Sequence, residues 1–308
     1  GVEAVPNVKK LANEGMFFSK FYPQISSGTS SDTEFTLLTS LMPAQSGTIF
    51  TSYYDRDYVT IPKLLKEKGY YTFSMHGNHM SMWNRSNVHP KLGYTGWYFK
   101  EAFDFNDDLQ SEDCINLGIS DKLFFKQAVP ILEQIEEEYK NYMGTVITLS
   151  NHSPFKYLEK YGEYDMSTTF RDCDESGICE TKTTNYLYGS AVGNYIMSAH
   201  YADAALGEFI EYINNSEYFN NTVFVLYGDH DAKLSLSQKN YLYNYDYKTG
   251  ELKDENDPTY KEYDYYDHEL NKNTPLIIWT KNKELRNKLN GKFDYVMGMY
   301  DVMPTLGN

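Results

Sequence analysis

Thr222-Val-Phe-Val-Leu-Tyr-Gly-Asp-His-Asp231 is the stretch on which the fold turns. β-Branched and aromatic residues run without a charge as far as Tyr227 and stop at Gly228. That pattern predicts a short strand buried on both faces. Asp229, His230 and Asp231 follow at once. In open α/β sheets, functional groups collect beyond the carboxyl ends of the strands. Asp229 and His230 also supply carboxylate oxygen and imidazole nitrogen, donors suited to Mn²⁺ or Zn²⁺. Alone, the same residues read equally as a turn with a capping aspartate.

The pattern recurs upstream. Tyr70 to Met75 reads as a strand and runs into His76-Gly-Asn-His79. Thr145 to Leu149 reads as a buried strand and runs into Ser150-Asn-His-Ser-Pro154. Helical segments precede them: Ile61 to Lys68, closed by Gly69, and Ser120 to Tyr142, which Pro130 is expected to interrupt. This alternation predicts an α/β fold. Its central, mostly parallel sheet is expected to include 71–75, 145–149 and 222–227, with 275–279 nearby in either orientation. Val8 to Glu14 predicts a helix and Met16 to Tyr22 a strand. Asn194 to Asn214 predicts a long amphipathic helix with Ile196, Leu206 and Ile210 on one face, and His200 on it reads as structural. Residues 156–188 read as irregular, and 239–273 as an acidic, tyrosine-rich surface excursion.

The chain has 308 residues, 41% of them hydrophobic, enough to bury a substantial core. Its net charge of −15 argues against a general nucleic-acid binder, which would carry basic patches. No run is long and apolar enough to span a bilayer, and no signal peptide opens the chain. The start at Gly1-Val-Glu3, without Met, reads as an excised piece of a longer protein. Cys173 and Cys179 are compatible with a local disulfide or with two free thiols; Cys114 reads as unpaired.

Between the first strand and a helix stands Gln24-Ile-Ser-Ser-Gly-Thr-Ser-Ser-Asp-Thr-Glu-Phe35. Ser31 or Asp32 is expected to cap a helix running through Thr33–Leu41. A hydroxyl at a helix start sits where backbone N–H groups favour anions, which suits a nucleophile that takes up a phosphoryl or sulfuryl group. The stretch by itself also reads as an ordinary capping loop.

Five segments in this order resemble the lipoteichoic acid synthases, sulfatase-fold members of the alkaline phosphatase superfamily. Gln24 to Phe35 resembles their nucleophile segment. Met75-His-Gly77 with Trp83-Asn-Arg85 resembles the substrate-binding segment. Thr148-Leu-Ser-Asn-His-Ser-Pro-Phe155 resembles the catalytic-histidine segment, Tyr227-Gly-Asp-His230 the metal-binding turn, and Asp301-Val-Met-Pro-Thr305 the closing motif.

The resemblance implies a single catalytic domain over 1–308 that moves glycerol-phosphate from phosphatidylglycerol to a growing glycerol-phosphate polymer through a covalent intermediate. The family's threonine nucleophile falls on Ser30, a departure that keeps the hydroxyl, with Thr29 as the neighbouring alternative. Ser30, Asp229 and His230 are the implied metal ligands, with Mn²⁺ expected and Mg²⁺ or Zn²⁺ as alternatives. His152 is implied in proton transfer and substrate contact. Trp83, Arg85 and His76 are implied in substrate binding, Arg85 as a bidentate phosphate partner. Asn78 stands where many relatives carry an acid, and its role stays open. The family's fourth ligand, a glutamate after the first core strand, has no counterpart before Ser30. That strand and the upstream membrane region are therefore expected to be missing. The implied location is the extracellular face of a bacterial membrane, with no nucleic-acid partner. A phosphodiesterase on the same scaffold and a catalytically inactive surface-binding domain remain alternatives. A sulfatase activity is disfavoured, because Ser30-Ser-Asp-Thr-Glu34 lacks the Pro and Arg of the Cys/Ser-x-Pro-x-Arg pattern.

Overall fold

Helix and strand alternate as expected. The computed structural model describes residues 3–115 and 117–307. The chain opens with α1 (Pro6–Glu14), β1 (Met16–Tyr22), α2 (Ser30–Thr39), α3 (Ile49–Ser52), α4 (Ile61–Glu67) and β2 (Tyr71–His76). It continues through α5 (Arg85–Leu92), β3 (Gly96–Tyr98), β4 (Cys114–Ile115), β5 (Gly118–Ile119), α6 (Asp121–Glu138) and β6 (Tyr142–Ile147). Next come α7 (Leu158–Tyr161), β7 (Thr168–Cys173), β8 (Cys179–Thr184), α8 (Ala191–Asn215) and β9 (Val223–Tyr227). The last elements are α9 (Leu236–Asn244), α10 (Tyr265–Leu270), β10 (Thr274–Thr280), α11 (Lys283–Leu289), β11 (Gly291–Gly298) and α12 (Val302–Gly307).

The core strands form two sheets, ordered β3-β2-β6 and β11-β1-β10-β9. The first is wholly parallel. In the second, β1 runs parallel to β11 while β10 is antiparallel to both β1 and β9. Three of the five core ladders are thus parallel. The expectation that 222–227 shares a sheet with 71–75 and 145–149 is corrected here, since β9 pairs with β10 alone.

The two sheets nevertheless present residues to the same two layers, because alternate side chains of a strand face opposite ways. Phe73 and Met75 of β2, Val146 of β6, Phe224 and Leu226 of β9 and Ile277 of β10 join a cluster with α6 and α8. Met143, Val225, Tyr227, Leu276 and Ile278 join the opposite cluster with Phe35 and Leu38 of α2. The β6 and β9 strands start side by side: Tyr142 and Thr222 both donate to Glu136 Oε2, at 2.7 and 3.1 Å. Yet no ladder joins the two among the described residues, and each keeps one unpaired edge. Their side chains are mostly half-exposed, whereas β10 is buried except at Pro275.

Three further expectations change. Pro130 lies within a continuous α6, where burial of Phe124, Phe125, Val129, Leu132 and Ile135 outweighs one lost backbone bond. Residues 156–188 hold a β7–β8 hairpin in which Cys173 and Cys179 are disulfide-bonded. The 239–273 excursion is partly ordered as α9 and α10. No helix among the described residues is long and apolar enough to cross a membrane. His200 is structural, its Nδ1 lying 2.8 Å from the Ala4 carbonyl.

Candidate active site

The hydroxyl-rich stretch opens α2 at Ser30. Thr29 occupies the cap position at φ 45°, in the left-handed region that a β-branched residue rarely adopts, and its side chain makes no capping bond. Neither Ser31 nor Asp32 caps the helix as expected. The Asp32 carboxylate turns back on the loop instead and accepts the N–H groups of Ser26 and Gly28 at 2.8 and 2.9 Å. A Cβ at residue 28 would meet Asp32 Oδ1 at 2.3 Å, so this turn requires glycine. The Ser31 hydroxyl is buried and donates to the Gly28 carbonyl at 2.8 Å. The half-buried Ser30 hydroxyl has no hydrogen-bond partner among the described residues.

Residues three and four apart on a helix share a face. On α2 that face carries Ser30, Thr33 and Glu34. Thr33 donates its hydroxyl to the Asp229 carbonyl at 2.5 Å, which ties the helix start to the turn after β9. Gly228 lets that turn approach β10: a Cβ there would meet Thr274 Cβ at 2.8 Å. In the turn, Asp229 Oδ1 accepts the His230 N–H at 3.0 Å. His230 Nδ1 lies 2.7 Å from the Asp231 carbonyl, so the ring proton sits on Nδ1 and Nε2 is left as an acceptor. That Nε2 lies 3.6 Å from Asp229 Oδ2. One carboxylate oxygen and one imidazole nitrogen, oriented by backbone groups, fit a borderline divalent cation. Among the described residues no group of three or more His, Cys, Asp or Glu side chains converges as a metal site. Asp229 and His230 form the donor pair of this turn, and the Thr33 bond ties it to the helix that Ser30 opens.

On the other side, Glu34 reaches the substrate-binding segment. Arg85 Nε lies 3.1 and 3.2 Å from the two Glu34 carboxylate oxygens, and Nη2 bonds Oε1 as well. His89 Nε2 lies 2.9 Å from Glu34 Oε2, and His89 Nδ1 lies 2.8 Å from Ser74 Oγ on β2. Glu34, Arg85, His89 and Ser74 are all buried. Burial pushes the Glu34 carboxyl up, but the Arg85 charge and the His89 contact outweigh it and hold the group at about 2. Burial lowers His89 despite Glu34. His76, also buried, lies with Nδ1 2.9 Å from the Ile147 carbonyl. Burial, then the Arg85 charge, bring it down to about 3, so it is neutral.

Trp83 is half-buried at φ 53° and Asn84 follows at φ 57°. Backbone strain of this kind is held only where the surroundings enforce it, and here Asn84 Nδ2 bonds the Phe50 carbonyl at 2.6 Å. Asn78 is buried, and its Oδ1 accepts the His79 N–H at 2.6 Å. His152 is exposed in the loop after β6, with Nδ1 against the Ser153 carbonyl. Asp121 anchors that loop by accepting the N–H groups of Leu149 and Ser150 at 2.8 and 3.1 Å. Thr33 and Glu34 thus tie the Asp229 turn and Arg85 to the helix that Ser30 opens, and His76 feels the Arg85 charge. His152 stands on the loop beyond the carboxyl end of the strand adjoining β2.

A family model described as Sulfatase matches residues 1–307. The chain belongs to the sulfatase family. Within it, this sulfatase-family chain is 29% identical over 310 residues to lipoteichoic acid synthase 1 of Bacillus subtilis, covering 99% of the chain and 42% of that protein. It is 32% identical over 233 residues to lipoteichoic acid synthase 2 of the same organism, covering 75% of the chain and 32% of that protein. The crystal structure of the lipoteichoic acid synthase LtaP from Listeria monocytogenes superimposes with a TM-score of 0.74 at 26% identity, covering 99% of this chain and 65% of that one. The chain therefore spans less than half the length of these curated relatives.

Reading the motifs of this sulfatase-family chain overlooked Thr33, Glu34 and His89. Thr33 and Glu34 carry a signal, their spacing of three and four from Ser30, which shows once the helix is known to start there. His89 carries none, because its partners Ser74 and Glu34 are distant in sequence.

Proposed function

We propose that this chain is the catalytic part of a phosphoglycerol transferase of the lipoteichoic acid synthase type. The observation that supports it is the single α2 face, with the half-buried Ser30 at its start, Thr33 bonded to Asp229 and Glu34 bonded to Arg85. In this reading a nucleophile, two metal donors and a cation for phosphate lie about the first turns of one helix, whose N-terminus favours an anion.

In this reading Ser30 Oγ attacks the phosphorus of phosphatidylglycerol, and the bond from phosphorus to the diacylglycerol oxygen breaks. Diacylglycerol leaves with a proton, and glycerol-phosphate stays on Ser30 as an ester. The terminal glycerol hydroxyl of the acceptor polymer then attacks the same phosphorus and frees Ser30. His152 gives and takes the proton in these two half-reactions. Arg85 orients a phosphoryl oxygen. His76, neutral, accepts at Nε2. Asp229, His230 and Ser30 would hold a divalent cation, Mn²⁺ in first place, which when bound lowers hydroxyl pKa values and polarises a phosphoryl group.

The test is to incubate the full-length protein, in bilayers containing fluorescent phosphatidylglycerol and Mn²⁺, and to follow diacylglycerol and polymer together. Diacylglycerol release with lengthening glycerol-phosphate polymer is expected. Diacylglycerol with free glycerol-phosphate alone would instead make it a phosphodiesterase, and no release at all would overturn both.

A further inference from the structure

The Arg85 guanidinium is buried, and its edges are unequally used. It has five N–H donors. Nε and one Nη2 donor are spent on Glu34, while among the described residues Nη1 reaches only the Met82 carbonyl, at 3.4 Å. The carboxylate that holds the Nε edge is itself held. His89 donates Nε2–H to Glu34 Oε2, and the Ser74 hydroxyl in turn donates to His89 Nδ1. Neither Glu34 nor Arg85 is a surface group free to sample rotamers.

We propose that Glu34 is a positioning residue for phosphoryl recognition: it binds the Nε edge of Arg85 and so leaves the Nη edge to take a phosphoryl oxygen beside Ser30. This rests on the transferase reading and deepens it. Ser30 and Glu34 are one helical turn apart on the same face, a rise of about 6 Å for four residues. Whatever Glu34 holds is therefore held at a set distance from the nucleophile. An arginine buried without a counter-charge would be costly or would swing out to water. Paired with Glu34, it is already oriented when substrate arrives, and that is what preorganisation requires. The network also couples the two segments mechanically, since α2 carries Glu34 and α5 carries Arg85 and His89.

A double-mutant cycle on the full-length protein tests this, with Glu34→Gln, Arg85→Gln and the pair. Affinity for sn-glycerol 1-phosphate is read by calorimetry with Mn²⁺ present, and phosphatidylglycerol turnover is read beside it. Each single change is expected to weaken glycerol-phosphate binding by about tenfold or more, as for a lost charge-assisted contact. The double variant is expected to bind no worse than Arg85→Gln alone, because Glu34 acts through Arg85. Losses that multiply, or a Glu34→Gln variant that binds like wild type, would overturn the proposal. Glu34→Asp keeps the charge and withdraws it by one methylene, so it covers the case in which Glu34→Gln does not fold. Its loss should vanish in the Arg85→Gln background, and an equal loss in both backgrounds would sink the idea. Coupled binding losses in a protein that turns over no phosphatidylglycerol would remove the transferase reading and leave this one. Turnover with uncoupled losses would do the reverse.

Discussion

The Thr33 hydroxyl donates to the backbone carbonyl of Asp229 at 2.5 Å, across 196 residues of sequence. This bond registers α2, which opens at the proposed nucleophile, against the turn that carries Asp229 and His230. Thr33→Val keeps the side-chain shape and deletes the donor. It should cost about 1–3 kcal/mol of stability, the range for an unpaired, part-buried carbonyl. Turnover should fall by more than the stability loss explains, because the two halves of the site lose their registration. Thermal melts and kcat measured on the same preparation check both. A variant with an unchanged melting temperature and full activity would show that the bond does neither.

Three consecutive hydroxyls, Thr29, Ser30 and Ser31, compete for the nucleophile's role. Ser31 is buried and already donates to Gly28, while Ser30 is half-buried with its hydroxyl unspent. Ser30→Ala should abolish the covalent intermediate and lower turnover by several orders of magnitude, roughly as for other lost nucleophiles. Ser30→Thr should stay active. Ser31→Ala should cost about 1 kcal/mol through the lost loop bond and spare the chemistry. Intact-mass spectrometry after quenching with phosphatidylglycerol locates the adduct. An adduct that survives in Ser30→Ala and disappears in Thr29→Ala would move the nucleophile by one residue.

Acid should destabilise the fold through His76 and Glu34. Burial, with the Arg85 charge, lowers His76 to about 3 from 6.5, against the pull of the Ile147 carbonyl and Glu34. Between those values the unfolded chain binds a proton that the folded chain does not, so stability falls as pH falls. Glu34, lowered from 4.5 to about 2, acts in the same direction over a lower window. Asp121, raised by burial from 3.8 to about 6, opposes them, and its contribution is lost as pH rises through 6. His76→Gln should flatten the melting temperature between pH 6.5 and 4.5, removing a contribution on the order of a few kcal/mol. An unchanged slope would mean that His76 is not buried neutral.

The unpaired edges of β6 and β9 should be visible by hydrogen exchange. Amides in 142–147 and 223–227 should exchange faster than those in 71–76 and 274–280, whose strands are paired on both sides. We propose that one further strand fits between the two edges, since β6 and β9 already share both packing layers. The full-length protein should then protect both edges. Exchange at the same rate in full-length protein and in residues 1–308 would refute the added strand.

In the proposed reading, Asp229, His230 and the Ser30 hydroxyl alone leave the metal shell incomplete. Residues 1–308 alone should bind Mn²⁺ weakly, and Asp229→Asn should weaken it further, as read by calorimetry. Tight stoichiometric binding by 1–308 would show that another group completes the shell.

The sequence by itself determined the class of fold, the family and the addresses of the candidate site. Apolar runs that stop at polar residues marked β2, β6 and β9; β2 is buried as such a run implies, whereas β6 and β9, each with an unpaired edge, are mostly half-exposed. The hydroxyl run before Phe35 marked the start of a helix, and its order relative to Trp83-Asn-Arg85, His152 and Asp229-His230 identified the family. Sheet order was decided only in three dimensions. Periodicity records how each strand is buried and says nothing of which edge it pairs with, so β9 could not be separated from β6 beforehand. The fate of Arg85 was likewise settled by packing. A motif shows a cation in the right segment, but the carboxylate that neutralises it comes from Glu34, 51 residues away, and only the fold brings the two into contact.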